Sequence, residues 1–188
     1  MTDPTDLEAL ALLRRRDPRG FELAYRRHAA SLRGFLWRMT RNDDLADDLL
    51  QITFLRLAER GPELRAASDL PAWLFTVARN ACYDQMRLSA ASTANDETLE
   101  ALTSPPPDVE TRLLLGDVEH ALARLKAEDR EILLLVSLEG LTHEAVSKML
   151  GLQSAATRQR LARARSRLLA ALDKQLKEPT TSQQRTIA

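Results

Sequence analysis

Five arginines fall between residues 158 and 167 of this 188-residue chain, with no acid among them. On a helix, at about 100° per residue, Arg160, Arg163 and Arg167 share one side, flanked by Arg158 and Arg165. Thr157, Leu161, Ala164, Leu168 and Leu172 share the other side. Such a ridge attracts phosphates, and a guanidinium can bond two acceptors on a guanine edge. The run alone also suits a solvated face on a bundle helix. What precedes it favours DNA. Thr142 can cap a short helix over about 143–150, Gly151 supplies a turn, and Ser154 can cap the next helix, so the stretch predicts a helix-turn-helix. In that motif the start of the second helix meets base edges. Gln153, Ser154, Arg158 and Gln159 are therefore the candidate base readers, and Arg160, Arg163 and Arg167 the candidate phosphate grips.

A second set lies at about 71–87. Leu74, Val77, Ala78, Ala81 and Cys82 form an apolar side, and Thr76, Arg79, Asn80, Tyr83 and Arg87 lie within an opposite arc of roughly 100°. Bases, an amide and a ring on one face suit single-stranded nucleic acid, because arginine neutralises phosphate and a ring stacks on an unpaired base. On these residues alone, an ordinary surface helix with one partly buried tyrosine accounts for the pattern better. A third set is acidic: Asp43, Asp44, Asp47 and Asp48. It lacks the glycine and closing glutamate of a calcium loop, and acids at a helix start already favour the helix dipole. A docking surface for a basic partner is the sharper reading.

Catalytic constellations are missing. His28, His120 and His143 are far apart, with no ligand spacing. Cys82 falls on an apolar face and reads as inert core. There is no Gly-rich phosphate loop and no recognisable Ser/His/Asp arrangement, so neither an enzyme nor a metal or cofactor site is expected.

The elements that must position these residues are helices. Hydrophobic residues are 44% and aromatics 4%. Leu, Ala, Arg and Glu dominate over β-branched types, which predicts an all-α fold. Helices are expected at about Asp6–Arg16, then through Phe21, Tyr25, Ala29, Leu32, Leu36 and Met39, then Leu45–Arg60 with Leu45, Leu49, Ile52 and Leu57 inward. Asp69 can cap the next, from near Pro71 to about Arg87, followed by Thr111–Leu125, Glu128–Leu138, His143–Leu150 and Ser154–Leu176. Basic and acidic residues both number 27, which excludes a uniformly basic coat but not a local patch. Residues 89–111 carry five acids and no base, with three consecutive prolines, Pro105 to Pro107. Prolines in a row favour an extended path. Two small helical domains, 1–88 and 111–176, are thus expected around an acidic, Pro-containing linker at 89–110, with a polar tail at 177–188 that is expected to be disordered. One cysteine excludes an intramolecular disulfide framework. No run approaches a membrane span, and Met1-Thr2-Asp3-Pro4 does not open a signal peptide, so the expected compartment is the cytoplasm, without membrane insertion.

Three motifs in order then carry a resemblance: ADDLLQITFLRL at 46–57, LPAWLFTVARNACYDQMR at 70–87 and EDREILLLVSLEGLTHEAVSKMLGL at 128–152. Together they resemble the bacterial RNA polymerase sigma factors of the extracytoplasmic-function (ECF) group, over about residues 20–176. The resemblance implies sigma domain two, then sigma domain four with the helix-turn-helix. It implies core RNA polymerase and promoter DNA as partners, and admits an anti-sigma factor. By position, Asp47, Asp48 and Gln51 would dock on the polymerase. Trp73, Thr76, Arg79, Asn80, Tyr83 and Arg87 would meet the −10 element, which replaces the surface-helix reading of that face. The loop from Gly61 to Leu70 would capture a flipped base, residues 143–165 would read the −35 element, and the acidic linker would thread towards the RNA path. The chain departs from the family pattern at Ile52, usually Glu, at Ala155-Ala156-Thr157, usually Gly-Thr-Val, and at Ser147, usually Ala. Thr157 stands where a buried Val is usual, so its hydroxyl needs a partner such as the carbonyl one turn earlier. The rival from another class is a stand-alone helix-turn-helix regulator that binds duplex DNA without polymerase. It leaves the Asp47/Asp48 helix and the polar arc of 76–87 without a purpose.

Overall fold

A computed structural model describes residues 4–66, 68–93 and 109–177. All eight long elements are helices: α1 (Pro4–Arg14), α2 (Pro18–Thr40), α3 (Asp43–Arg60), α4 (Leu70–Thr93), α5 (Val109–Arg124), α6 (Ala127–Leu133), α7 (His143–Leu150) and α8 (Ser154–Lys177). A 3₁₀ turn at Gly61–Glu63 follows α3, and a π turn at Leu134–Leu138 continues α6. The described chain is all-α, as expected. Residues 94–108 and 178–188 lie outside the described residues, so the linker is seen only at its ends. There α4 runs on past Arg87 to Thr93, and α5 already begins at Val109.

Helix starts follow local chemistry. Asp17 accepts from the Arg19 amide, Asn42 from Leu45 and Asp69 from Ala72, each filling an amide that the first turn leaves open. In the first domain, α1, α2, α3 and α4 pack into a bundle around Leu32, Phe35, Leu36, Leu57, Leu70 and Leu74. The buried stripe of α2 differs from the expected one. It runs Gly20, Ala24, His28, Leu32, Phe35, Leu36 and Met39. Phe21 and Ala29 are half-buried and Tyr25 is 46% exposed. The cause is the closeness of α1: a Cβ on Gly20 would lie 2.6 Å from the Leu13 amide nitrogen. Only small side chains fit that approach, so the aromatics turn to the edge. There Phe21 and Tyr25 pack against Phe54 with ring centres 5.8 and 4.8 Å away. Ile52 is also not inward, being 40% exposed, and Thr53 takes the buried position with its hydroxyl on the Leu49 carbonyl.

In the second domain, α5, α6 and α7 pack on α8. The buried apolar side chains of the two domains form one continuous cluster, from Ala9 to Ala164. Across the seam α2 meets α5 and α6, while α4 meets α7.

Candidate nucleic-acid and polymerase interfaces

The helix-turn-helix is built as the local signals require. Thr142 accepts from the Ala145 amide and starts α7. Gly151 ends it with φ +64, a backbone state a side chain would strain. α8 begins at Ser154 itself, so Gln153, not Ser154, precedes the first turn. Thr157 is fully buried where α7 and α8 cross, and its hydroxyl does contact the Gln153 carbonyl, at 3.2 Å. It also meets the Ser147 hydroxyl at 2.8 Å, and Ser147 lies 2.6 Å from the His143 carbonyl. Two of the positions that depart from the family pattern thus satisfy each other, with two protons serving three oxygen contacts.

Gln153, Ser154, Arg158 and Gln159 are exposed at the start of α8. The cationic ridge behind them is not uniform. Arg160 pairs with Glu128 at 2.9 Å, and Arg167 is bound to Asp129, a carboxylate only 5% exposed. Arg163 is exposed, and neither it nor Arg158 forms an ion pair among the described residues. The acids opening α6 therefore do more than favour its dipole, since they tether two of the expected phosphate grips.

On α4, the outward face holds Thr76, Arg79, Asn80, Tyr83 and Arg87 while Leu74, Phe75, Ala78 and Cys82 are buried. Trp73 is half-buried against the core. Arg79 lies over the Tyr83 ring at 4.6 Å and donates to the Asn80 side-chain oxygen Oδ1 at 3.1 Å. Thr76 turns its hydroxyl back onto the Ala72 carbonyl at 2.6 Å, and Arg87 pairs with Asp84. Arg79 and Tyr83 both end on Glu131 of α6, the Tyr83 hydroxyl donating at 3.0 Å. Burial pushes the Glu131 carboxyl above the usual carboxylate range, against the pull of Arg79 and Tyr83. Burial and that same carboxylate raise the Tyr83 phenol well above its ordinary value. Cys82 is buried and pushed up to about 11 by desolvation, so it is no nucleophile near neutral pH.

The acids at the start of α3 divide as well. Arg33 binds Asp47 at 2.6 Å and Asp43 at 2.9 Å, which holds the Asp47 carboxyl below the usual range. Asp48 and Gln51 are exposed, beside Ile52 and Leu55, the latter 56% exposed. Sequence reasoning missed Arg33, Glu119 and Glu131, because ion-pair partners far apart in the chain leave no periodic signal. Among the described residues no cluster of three metal-binding side chains occurs, and no helix is long and apolar enough to cross a membrane.

Comparison with known proteins agrees with this layout. Residues 24–91 match the family described as Sigma-70 region 2, and residues 115–168 match Sigma-70, region 4. The RNA polymerase sigma factor CarQ of Myxococcus xanthus is 34% identical over 152 residues, covering 79% of this chain and 86% of that protein. The ECF RNA polymerase sigma factor EcfG of Rhodopseudomonas palustris is 34% identical, covering 76% and 79%. Among solved structures, the sigma factor RpoE in complex with the anti-sigma factor NepR from Bartonella quintana has 29% identity and a TM-score of 0.74, over 81% of this chain and 96% of that one. CnrH in complex with the cytosolic domain of CnrY, at 24% identity and a TM-score of 0.71 over 90% and 98%, shares the fold. An all-α chain with both sigma regions in order, over most of the length of such relatives, belongs to the ECF RNA polymerase sigma factors, which bind core polymerase and direct transcription initiation at promoter DNA.

Proposed function

We propose that the three surfaces divide the work of promoter use, and that the chain itself catalyses no covalent step. Asp47, Asp48 and Gln51 dock on core polymerase in the cytoplasm, with Asp48 presenting the freer charge and Ile52 and Leu55 an apolar floor beside it. Trp73, Thr76, Arg79, Asn80, Tyr83 and Arg87 on α4 hold the opened −10 strand. Cations hold its phosphates and rings stack on its unpaired bases. Gln153, Ser154, Arg158 and Gln159 read the −35 duplex, and Arg160, Arg163 and Arg167 line its phosphates. An anti-sigma factor is a further expected partner, as for the related RpoE, which was solved in complex with the anti-sigma factor NepR.

The observation that carries this reading is the exposed start of α8, held by the Ser147–Thr157 contact over a capped α7 and a glycine turn. A stand-alone regulator would use that end too, but it gives no purpose to the acids of α3. The test is reconstitution. The chain with core polymerase should start transcripts at a subset of promoters, and core polymerase without the chain should start none of them. Strong, specific duplex protection by the free chain with no effect on transcript starts would favour the regulator instead.

A further inference from the structure

A cleft between the start of α6 and the side of α8 brings together Lys126, Glu128, Asp129, Arg160, Arg163 and Arg167. Four cations and two acids thus meet on the surface assigned to the −35 phosphates. The two acids are held differently. The Asp129 side chain, paired with Arg167, is 7% exposed, whereas the Glu128 side chain, 2.9 Å from Arg160, is 67% exposed. Lys126 and Arg163 are exposed and in no ion pair among the described residues. Burial decides which pair can open. A buried carboxylate that loses its cation has no water to turn to, so Arg167 stays on Asp129. Glu128 loses little by turning to water, because an exposed ion pair is worth little. Arg160 is therefore the paired arginine that can change partner.

Carboxylate and phosphate oxygens accept from a guanidinium in the same way. We propose that Glu128 is a brake on −35 binding: it contends with the DNA backbone for Arg160 and lowers affinity for every −35 sequence alike. This rests on the assignment of α8 to the −35 duplex. With Glu128 present, the pair brings no net charge to the duplex. Arg160 reaches a phosphate only by leaving a carboxylate beside that phosphate. Without Glu128, one more cation neutralises one more phosphate and releases its counterions. Gln153, Ser154, Arg158 and Gln159 do not line the cleft, so the brake acts on strength and leaves the reading of bases alone. Two plainer roles are open to Glu128: it sits in the first turn of α6, where an acid favours the dipole, and it can hold Arg160 in place for DNA. Either of these predicts unchanged or weaker binding when Glu128 is lost, and the brake predicts tighter binding.

The experiment uses the full chain assembled with core polymerase. Binding to labelled promoter DNA is titrated at several salt concentrations, on fragments that include the −35 element or end just short of it. Glu128→Gln should bind the longer fragment roughly two- to five-fold more tightly, the ordinary worth of an exposed pair. Its salt slope should steepen by about one. A binding selection should return the same −35 motif as the wild type, and the shorter fragment should show neither change. In an Arg160→Ala background, Glu128→Gln should bring no gain. Unchanged or weaker binding of the longer fragment by Glu128→Gln would overturn the brake. A gain that persists without Arg160 would overturn it as well, since Glu128 would then repel the backbone on its own. If the wild-type chain binds both fragments equally, the assignment of α8 falls and the brake with it. A wild type that prefers the longer fragment, with no gain from Glu128→Gln, keeps that assignment and removes the brake alone.

Discussion

The outward faces of α4 and α8 carry the same kinds of side chain, arginines beside amides and hydroxyls, but they meet different surroundings. On α4, Arg79 and Tyr83 are held by a buried carboxylate from the other domain. On α8, Gln153, Ser154, Arg158, Gln159 and Arg163 are exposed, and the two paired arginines use acids of their own domain. The difference follows from what each face is proposed to bind. Duplex DNA exists before the polymerase acts, so a reader of duplex needs no cover. An unpaired strand exists only after opening, and a face that stacks bases would otherwise be sticky towards any single strand.

The largest effect should come from emptying the α4 face. Arg79→Ala with Tyr83→Ala should impair promoter opening far more than duplex binding, because one stacked base alone is worth about 1–3 kcal/mol. Permanganate reactivity of promoter thymines in the polymerase complex measures this, and wild-type reactivity would return α4 to an ordinary surface helix. On α8 the two kinds of arginine should separate. Arg167→Ala leaves buried Asp129 unpaired and should destabilise the second domain by about 1–3 kcal/mol in urea unfolding. Arg163→Ala should leave stability within about 0.5 kcal/mol. It should weaken binding to all −35 sequences alike and lower the salt slope by about one. Arg158→Ala should change which −35 sequence a binding selection enriches, and an unchanged motif would refute the proposed register.

A smaller effect tests what holds α8 in place. Ser147→Ala and Thr157→Val should each cost stability, because each leaves the other buried hydroxyl with only the carbonyl one turn earlier. The double variant should recover about 1 kcal/mol relative to their sum. Simple additivity in a double-mutant cycle would show that the pair is incidental. The smallest difference is expected at α3. Asp48→Ala should weaken polymerase binding more than Asp47→Ala, by about 0.5–1 kcal/mol. The reason is that Arg33 already neutralises Asp47. A titration against labelled core polymerase with equal losses would mean that Arg33 lets go on docking.

Most of the helices were legible because caps and breakers are local. Thr142, Asn42-Asp43, Asp69, Gly61-Pro62 and Gly151 each act within a turn of themselves. The inward faces were harder. Tyr25 has the hydrophobicity of a core residue, yet the side of α2 turned to α1 carries Gly20, Ala24 and His28, the last bonded to Asp6. Ile52 likewise reads as core by type, and its exposure is set by which side of α3 faces α2 and α4. The hydroxyl demand of Thr157 could be foreseen, but its second partner, Ser147, could not be chosen without the crossing angle. Glu131 reads locally as one of several acids near a helix start. Its role depends on how two domains meet, and no spacing within one helix encodes that.

Arg130 has one more consequence. The two α2 carbonyls it grips, those of Arg38 and Met39, lie just before Arg41, whose backbone turns left-handed at φ +57, and Asn42, which caps α3. Asp43 opens α3 at that same bend, and Asp47 follows one turn later. The grip of one domain on the other and the acids proposed to face the polymerase therefore lie on either side of one short bend. Without the Arg130 fork those two carbonyls would turn to water at the threshold of α3. A lysine at position 130 would keep the charge and lose the fork, since a single ammonium with three donors cannot face five carbonyls at two helix ends.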